Sequence, residues 1–403
     1  MECSSQSRRK KIALYYTLIC SILATAVFLF WFIFWRFREY TNDAYVEGNQ
    51  VYITPLHPGF VTSIHTDDTY LVKKGQLIVE LDETDAKIAL DQSRENLANT
   101  VRTVCQMMHS VFSYRSEIEM KKADFIKTAQ DYEHRENVIA AGGVSVEDFE
   151  HAIAGLRSSF FSLQMTEILF DKALASVQNT TIANHPLVLA AADAVRDSWV
   201  RLYRCKIYSP VEGLVAQRTI QVGMWIEAGT PLMSVIPLDQ IWVNANYKET
   251  QMKRIRIGQK VKVTADFYGD SVVFDGHIVG IPGGAGNAFS ILPPQNLSGN
   301  WIKIVQRLPV RVGLDPEQLK KHPLRIGLSM ETTTNTQDLE GLSVPISTTG
   351  SPLYITPIFE KEEIGDESFI HKIILANVDP SLREFYHKPL IPETIQSYEH
   401  SDF

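Results

Sequence analysis

Stepping by seven from Leu90 meets Leu97, Val104, Val111, Ile118, Phe125, Tyr132 and Ile139, an unbroken apolar or aromatic stripe. Beyond Gly142-Gly143 the step resumes at Phe149, Leu156, Leu163, Phe170 and Val177. A strict seven-residue repeat predicts a left-handed supercoil seam, here between two antiparallel helices that turn at the glycines. The companion seam is weaker, with Val101 and Met108 but also Arg94, Arg115 and Lys122. That suits a two-helix hairpin with much of its surface in solvent. At 1.5 Å per residue, arms of about 55 to 60 residues project about 80 Å. The return arm is interrupted over Asn179–Pro186, and the seam restarts at Val188, Val195 and Leu202. The step from Val177 to Val188 is a heptad plus a four-residue stutter, which predicts a bend rather than an end.

Other stretches have other periods. Ile12 to Trp35 carries no formal charge and is long enough to cross about 30 Å of hydrocarbon as one helix, with Trp31 and Trp35 suited to the interfacial belt. Arg8, Arg9, Lys10 and Lys11 precede it, whereas Arg36 and Arg38 are offset by Glu39 and Asp43, so the N-terminus is expected in the cytoplasm and the bulk outside. A cleaved signal peptide has a shorter apolar core and a small-residue cleavage site, and 34–38 offers none. Alternation returns at Ile241–Tyr247, Val261–Phe267, Val272–Phe274, His277–Val279 and Arg307–Val312, which predicts a small antiparallel β-barrel. Ala44–Val46 and Val51–Ile53 are expected to join it.

Between these lies a small β-domain written in two halves. Pro58-Gly59-Phe60-Val61 leads to Val72-Lys73-Lys74-Gly75, and Pro210-Val211-Glu212-Gly213 leads to Glu227-Ala228-Gly229. Gly59 to Gly75 and Gly213 to Gly229 are the same sixteen-residue step, each half reading strand, turn, strand. This pseudo-symmetry resembles the biotinyl/lipoyl hammerhead, but the hairpin replaces the tip that would bear a modifiable lysine. Lys73 and Lys74 read as solvated turn charges, so an acyl- or biotin-carrier enzyme is disfavoured.

Composition adds little chemistry. The 403 residues are 45% hydrophobic and 21% charged with net charge −8, a globular balance without a basic footprint for nucleic acid. Ser351–Phe403 holds ten acidic residues against four Lys/Arg, and 341–403 reads as an acidic, loosely ordered extension. Cys3, Cys20, Cys105 and Cys205 form no metal spacing, and Cys105 and Cys205 fall too far apart along the hairpin to pair. The eleven histidines fit no catalytic motif, and no cofactor, metal or catalytic residue is expected. The glycine run 280–286 lacks the Gly-Lys-Ser/Thr of a phosphate loop.

Two places read as interaction sites. The hairpin tip holds His134, Arg135, Val138, Ile139, Gly142, Gly143, Val144 and Ser145, with Ser145 and Asp148 spaced like a capping box. The long loop with Phe289, Pro293, Pro294, Asn296, Asn300 and Trp301 is the second, since loops of this length without secondary structure are often functional.

Thr41–Asn49, Trp242–Gln251, Arg256–Gln259 and Gly299–Arg311 resemble the EmrA-type multidrug export adaptors, membrane fusion proteins of the HlyD family. The resemblance covers about Tyr40 to Asn335. It implies a multidomain α+β protein: a single N-terminal transmembrane helix (12–35, after a cytoplasmic 1–11), a split lipoyl/biotinyl-like β-domain (50–82 and 205–237), a long antiparallel α-helical coiled-coil hairpin (83–204) and a small antiparallel β-barrel (40–49 and 238–340). It further implies a homo-oligomer in a bacterial inner membrane, beside an EmrB-like major-facilitator pump and a TolC-like outer-membrane channel, exporting hydrophobic drug-like compounds. An adaptor for ATP-driven type I protein secretion is the alternative. Related adaptors dock through Arg, Leu and Ser at the tip, spaced four and seven. Counting back from Ser145 gives Val138 and His134, so the arginine is replaced or displaced to Arg135.

Overall fold

The computed structural model describes residues 3–32, 36–285, 288, 305–344 and 350–391. Helix α1 (Cys3–Phe30) contains Ile12–Phe30, whose mean hydropathy reaches 2.2 and whose side chains are all exposed. It is the one helix among the described residues long and apolar enough to cross a membrane. Trp31 is half-exposed beyond it, and Trp35 lies outside the described residues.

The chain then runs β1 (Arg38–Gly48), β2 (Val51–Ile53), β3 (Gly59–Ile64), β4 (Leu71–Val72), β5 (Leu77–Leu81), the long α2 (Thr84–Ile139), α3 (Val146–Val177) and α4 (Pro186–Arg204). It continues through β6 (Lys206–Tyr208), β7 (Gly213–Ala216), β8 (Trp225–Ile226), β9 (Met233–Ile236), β10 (Ile241–Lys248), β11 (Lys260–Ala265), β12 (Val273–Gly280) and β13 (Arg307–Leu314). Last come α5 (Pro316–Lys321), β14 (Ser329–Asn335) and α6 (Asp366–Asn377).

Six strands close a barrel in the order β1-β10-β13-β12-β11-β14, all neighbours antiparallel. Strict alternation along β10 sends Ile241, Val243, Ala245 and Tyr247 inward. Val51–Ile53 does not join this barrel. β2 pairs with β9 in the split domain, because a period of two states which face is buried but not which sheet receives it.

The split domain consists of two four-stranded sheets, β2-β9-β7-β4 and β6-β5-β3-β8, so each sheet draws strands from both halves. Gly75 and Gly229, the equivalent positions of the repeat, share the left-handed conformation (φ +78° and +81°), where an L side chain is strained. The pseudo-symmetry is thus a symmetry of turns as well as of spacing.

In the hairpin α2 buries the predicted Leu97, Val104, Val111 and Ile118, and also Val101 and Met108 of the companion seam. The α3 seam differs from expectation. Phe149, Leu156, Leu163 and Phe170 are only half-buried, while Ala152, Ser159 and Thr166, also seven apart, are buried. Small residues let the helices approach closely and push the large ones to the flanks. Thr128 and Ser159 hydroxyls meet across that approach at 2.7 Å. The return arm also ends rather than bends. Gln178 is extended, Asn179 adopts φ +59°, and α4 restarts with Pro186 at its first turn under a His185 cap.

The largest departure concerns 341–403. It is not a loosely ordered extension over the segment 357–391, which forms a strap. Ile370, Ile373, Ile374, Val378, Leu382, Phe385, Tyr386 and Leu390 enter one core with α2, α3 and α4. The strap fills the break in the return arm: Asn179 and Ile182 amides donate to the Leu390 and Phe385 carbonyls (both 3.0 Å), and the Leu390 amide to the Thr180 carbonyl (3.1 Å). Two of its acids are buried in ion pairs, while Glu360, Glu363 and Glu367 stay exposed. Asp366 pairs with Arg196 at 3.0 Å and Glu362 with Arg204 at 2.8 Å, with both carboxylates buried.

A buried polar cluster locks the barrel. Tyr247 is fully buried, and its hydroxyl meets Thr332 Oγ1 at 3.0 Å and Thr334 Oγ1 at 2.7 Å. Burial pushes its phenol above the ordinary value. Tyr247→Phe strands two buried hydroxyls and is expected to cost about 1–3 kcal/mol. Thermal unfolding of the barrel, followed by hydrogen exchange in β10, checks this.

Candidate functional site

The hairpin tip is built by the chemistry of two helix ends. α2 closes with the Gly143 amide on the Val138 carbonyl (3.1 Å) and the Gly142 amide on the Ile139 carbonyl (3.1 Å), while Gly142 takes φ +70°. A Cβ on Gly143 would press Val138 at 3.2 Å. Ser145 caps α3: its Oγ accepts from the Asp148 amide (3.0 Å) and donates to Asp148 Oδ2 (2.6 Å). The Ser145 hydroxyl thereby holds the Asp148 carboxyl below its ordinary value.

Of the predicted tip residues, His134, Val138, Gly142, Gly143 and Ser145 are exposed, and Arg135, Ile139 and Val144 are partly covered. Arg135 is turned to structural work. It donates to the Asp148 carbonyl across the turn (2.8 Å) and pairs with Asp131 at 3.3 Å. His134 and Val138 are four apart on one helix and share a face. Just below, Tyr132 stacks on Phe149 with centroids 5.6 Å apart, bracing the arms. The tip therefore presents a braced, acidic knob, with Glu133, Glu136, Glu147 and Glu150 exposed around it and Val138 and Val146 as exposed apolar contacts. Such a surface can dock but has no arrangement for bond-making chemistry.

The second predicted site, Phe289, Pro293, Pro294, Asn296, Asn300 and Trp301, lies outside the described residues. Its flanking strands are placed. β12 ends and β13 begins at the barrel end where β1 starts, since Lys248 pairs with Arg307 and Arg38 with Asn335. Among the described residues no group of acidic, histidine or cysteine side chains could hold a metal. Cys105 and Cys205 are free and buried, and burial pushes both thiols up.

Two features escaped the sequence. An open cleft of about 1180 Å³ lies among the split domain, the barrel and residues 353–356 ahead of the strap, lined by Val51, Leu71, Lys74, Leu238, Leu319 and Ile355. Nearby, His57 sits close to the Arg204–Glu362 pair, its Nε2 buried with no hydrogen-bond partner among the described residues. Burial, then the Arg204 and Arg201 guanidinium groups, lower its pKa. The folded state thus prefers neutral His57. This preference stabilises fully above the ordinary value of about 6.5 and is lost as the pH falls below it. Thermal melting at pH 5.5 against 7.5 should show an acid penalty that shrinks in His57→Asn.

Residues 84–205 match the family described as "EMRA, alpha-helical hairpin domain". The chain is 40% identical over 377 residues to the probable multidrug resistance protein EmrK of Escherichia coli (strain K12), covering 92% of this chain and 97% of that one. It is 39% identical over 354 residues to the multidrug export protein EmrA of the same strain, covering 88% and 91%. Among solved structures, the periplasmic adaptor protein EmrA aligns with a TM-score of 0.38 at 16% identity, covering 75% of this chain and 99% of that chain.

Proposed function

Because this chain belongs to the EmrA-type membrane fusion proteins, we propose that it is the periplasmic adaptor of a tripartite multidrug efflux system. In this reading it couples an inner-membrane major-facilitator pump of the EmrB kind to a TolC-like outer-membrane channel, and hydrophobic toxic compounds leave through the assembly. The family is a class of adaptors, not of enzymes. The observation that carries the reading is full-length similarity to multidrug export proteins, together with a helical arm of 56 residues rising from a body anchored by one apolar helix.

In this role α1 holds the chain in the inner membrane with its basic N-terminus in the cytoplasm, and the hairpin reaches away from the bilayer. Copies of the chain assemble side by side, so that tips too weak to bind singly dock together. His134, Val138 and Ser145 form the outward docking face, and Arg135 stiffens the turn behind them. The 289–301 loop, rooted at the barrel end nearest α1, contacts the pump or its cargo.

Gentle extraction of the tagged chain from its native membrane, followed by mass spectrometry, tests the proposal. Co-purification of a many-helix major-facilitator pump is expected. An ATP-binding transporter in its place would overturn the drug-efflux reading and move the chain to protein secretion.

A further inference from the structure

The two ends of the barrel are chemically unlike. β1 begins at Arg38, only eight residues after Phe30, so the end holding Arg38 lies within about 28 Å of the end of α1 even if the chain is fully extended. It is held closer than that. Arg254 Nη1 donates to the Arg36 carbonyl (2.5 Å), which ties the exit of the apolar helix to the barrel.

Strand register identifies the rest of that end. Val261 pairs with Thr334 and Lys260 with His277, which sets Lys260 level with Arg38 beside Asn335. Lys248 closes β10 opposite Arg307, and the segment from Lys248 to Lys260 crosses the same end with Lys253, Arg254 and Arg256. Arg38, Lys248, Lys253 and Lys260 are exposed, and none of them is in an ion pair among the described residues. One nearby acid is already neutralised, Asp43 by Arg307 at 2.6 Å, while Glu39 accepts from the neutral Gln251 Nε2 at 3.0 Å and keeps its charge. Glu39, Glu249, Asp338 and Glu340 remain against Arg38, Lys248, Lys253, Arg254, Arg256 and Lys260. The far end has an acidic excess, with Asp266, Asp270, Asp275, Asp315 and Glu317 around its turns against Lys320, Lys321 and Arg325. In a chain of net charge −8, the positive end is the one to which the exit of α1 is tied.

We propose that this basic end is a collar that binds anionic phospholipid headgroups of the leaflet from which α1 emerges. Its ligand is the phosphodiester of an acidic lipid such as phosphatidylglycerol, bound by several exposed cations together and not by a closed pocket. Lipid binding then holds the barrel upright on the bilayer and sets the direction of the hairpin. The inference rests on α1 as a membrane anchor and does not depend on the cargo or the pump.

The test uses the purified full chain, without a pump, in nanodiscs of phosphatidylcholine alone or with one-third phosphatidylglycerol. Hydrogen exchange of the amides over 248–260 is followed by mass spectrometry. Each Lys or Arg near an anionic surface contributes about fivefold in binding, so slowing of about fivefold or more is expected in the anionic discs. The effect should fade with added salt and vanish in the triple variant Lys248→Gln, Lys253→Gln, Lys260→Gln. Unchanged exchange in β10 and β13 shows that this variant is folded. Equal exchange in both discs, or slowing that survives the triple variant, would overturn the collar. So would slowing that appears only after another membrane protein is added, which would assign the end to a protein partner.

Discussion

Phe385→Ala should detach the strap from the hairpin base at a cost of about 3–5 kcal/mol, the range for deleting a buried phenyl ring. Phe385 is 1% exposed, packs on Phe112 at a centroid distance of 5.8 Å, and its carbonyl holds the Ile182 amide at the break between α3 and α4. The truncated side chain leaves a cavity at the point where strap and return arm exchange hydrogen bonds. Those bonds are then opened to water. Hydrogen exchange should rise sharply over 179–182 and 366–390, while the barrel strands keep their protection. Equal protection in both regions would mean that the strap is held by its ion pairs and not by its apolar face.

Replacing Gly142-Gly143 with Val-Val is expected to abolish drug resistance in cells while the barrel stays folded. A β-branched residue at φ +70° is strained by roughly 1–3 kcal/mol, and a side chain at 143 presses Val138 besides. The chain escapes by unwinding the last turn of α2, which shifts His134 and Val138 relative to Ser145. Resistance to a hydrophobic toxicant, scored beside limited proteolysis of the barrel, separates a lost tip from a lost fold. Full resistance in this variant would sink tip docking.

Much of this architecture was legible because its periods are local. Leu97, Val104, Val111 and Ile118 announce their helix face, Ile241–Tyr247 alternates without error, and two equal glycine steps expose the split domain. The strap was not legible. Its apolar residues pass through a helix, an irregular link and a tight 3-10 turn, so no single period runs from Ile370 to Leu390, and their partners on α2 lie far away in sequence. The α3 seam misled for another reason. Ala152, Ser159 and Thr166 look like surface residues, and only the opposite helix reveals that smallness is what the contact needs. At the tip, the glycine turn and the Ser145 cap were plain in the sequence. Whether His134 or Arg135 faces outward depends on the opposite arm, because Arg135 is drawn in by the Asp148 carbonyl.

The strap also imposes an order on biogenesis. Leu97 and Leu390 belong to the same core, yet a chain delivered from its N-terminus presents the first long before the second. The split β-domain can close once β9 has emerged, and the barrel once β14 has. The foot of the hairpin must wait, with Phe112 and the Ile182 amide lacking their Phe385 partner until the strap arrives. During that interval it is an apolar groove open to chaperones and proteases. The strap therefore acts as a seal on the hairpin foot, and a polypeptide broken off after the barrel would carry that foot uncovered.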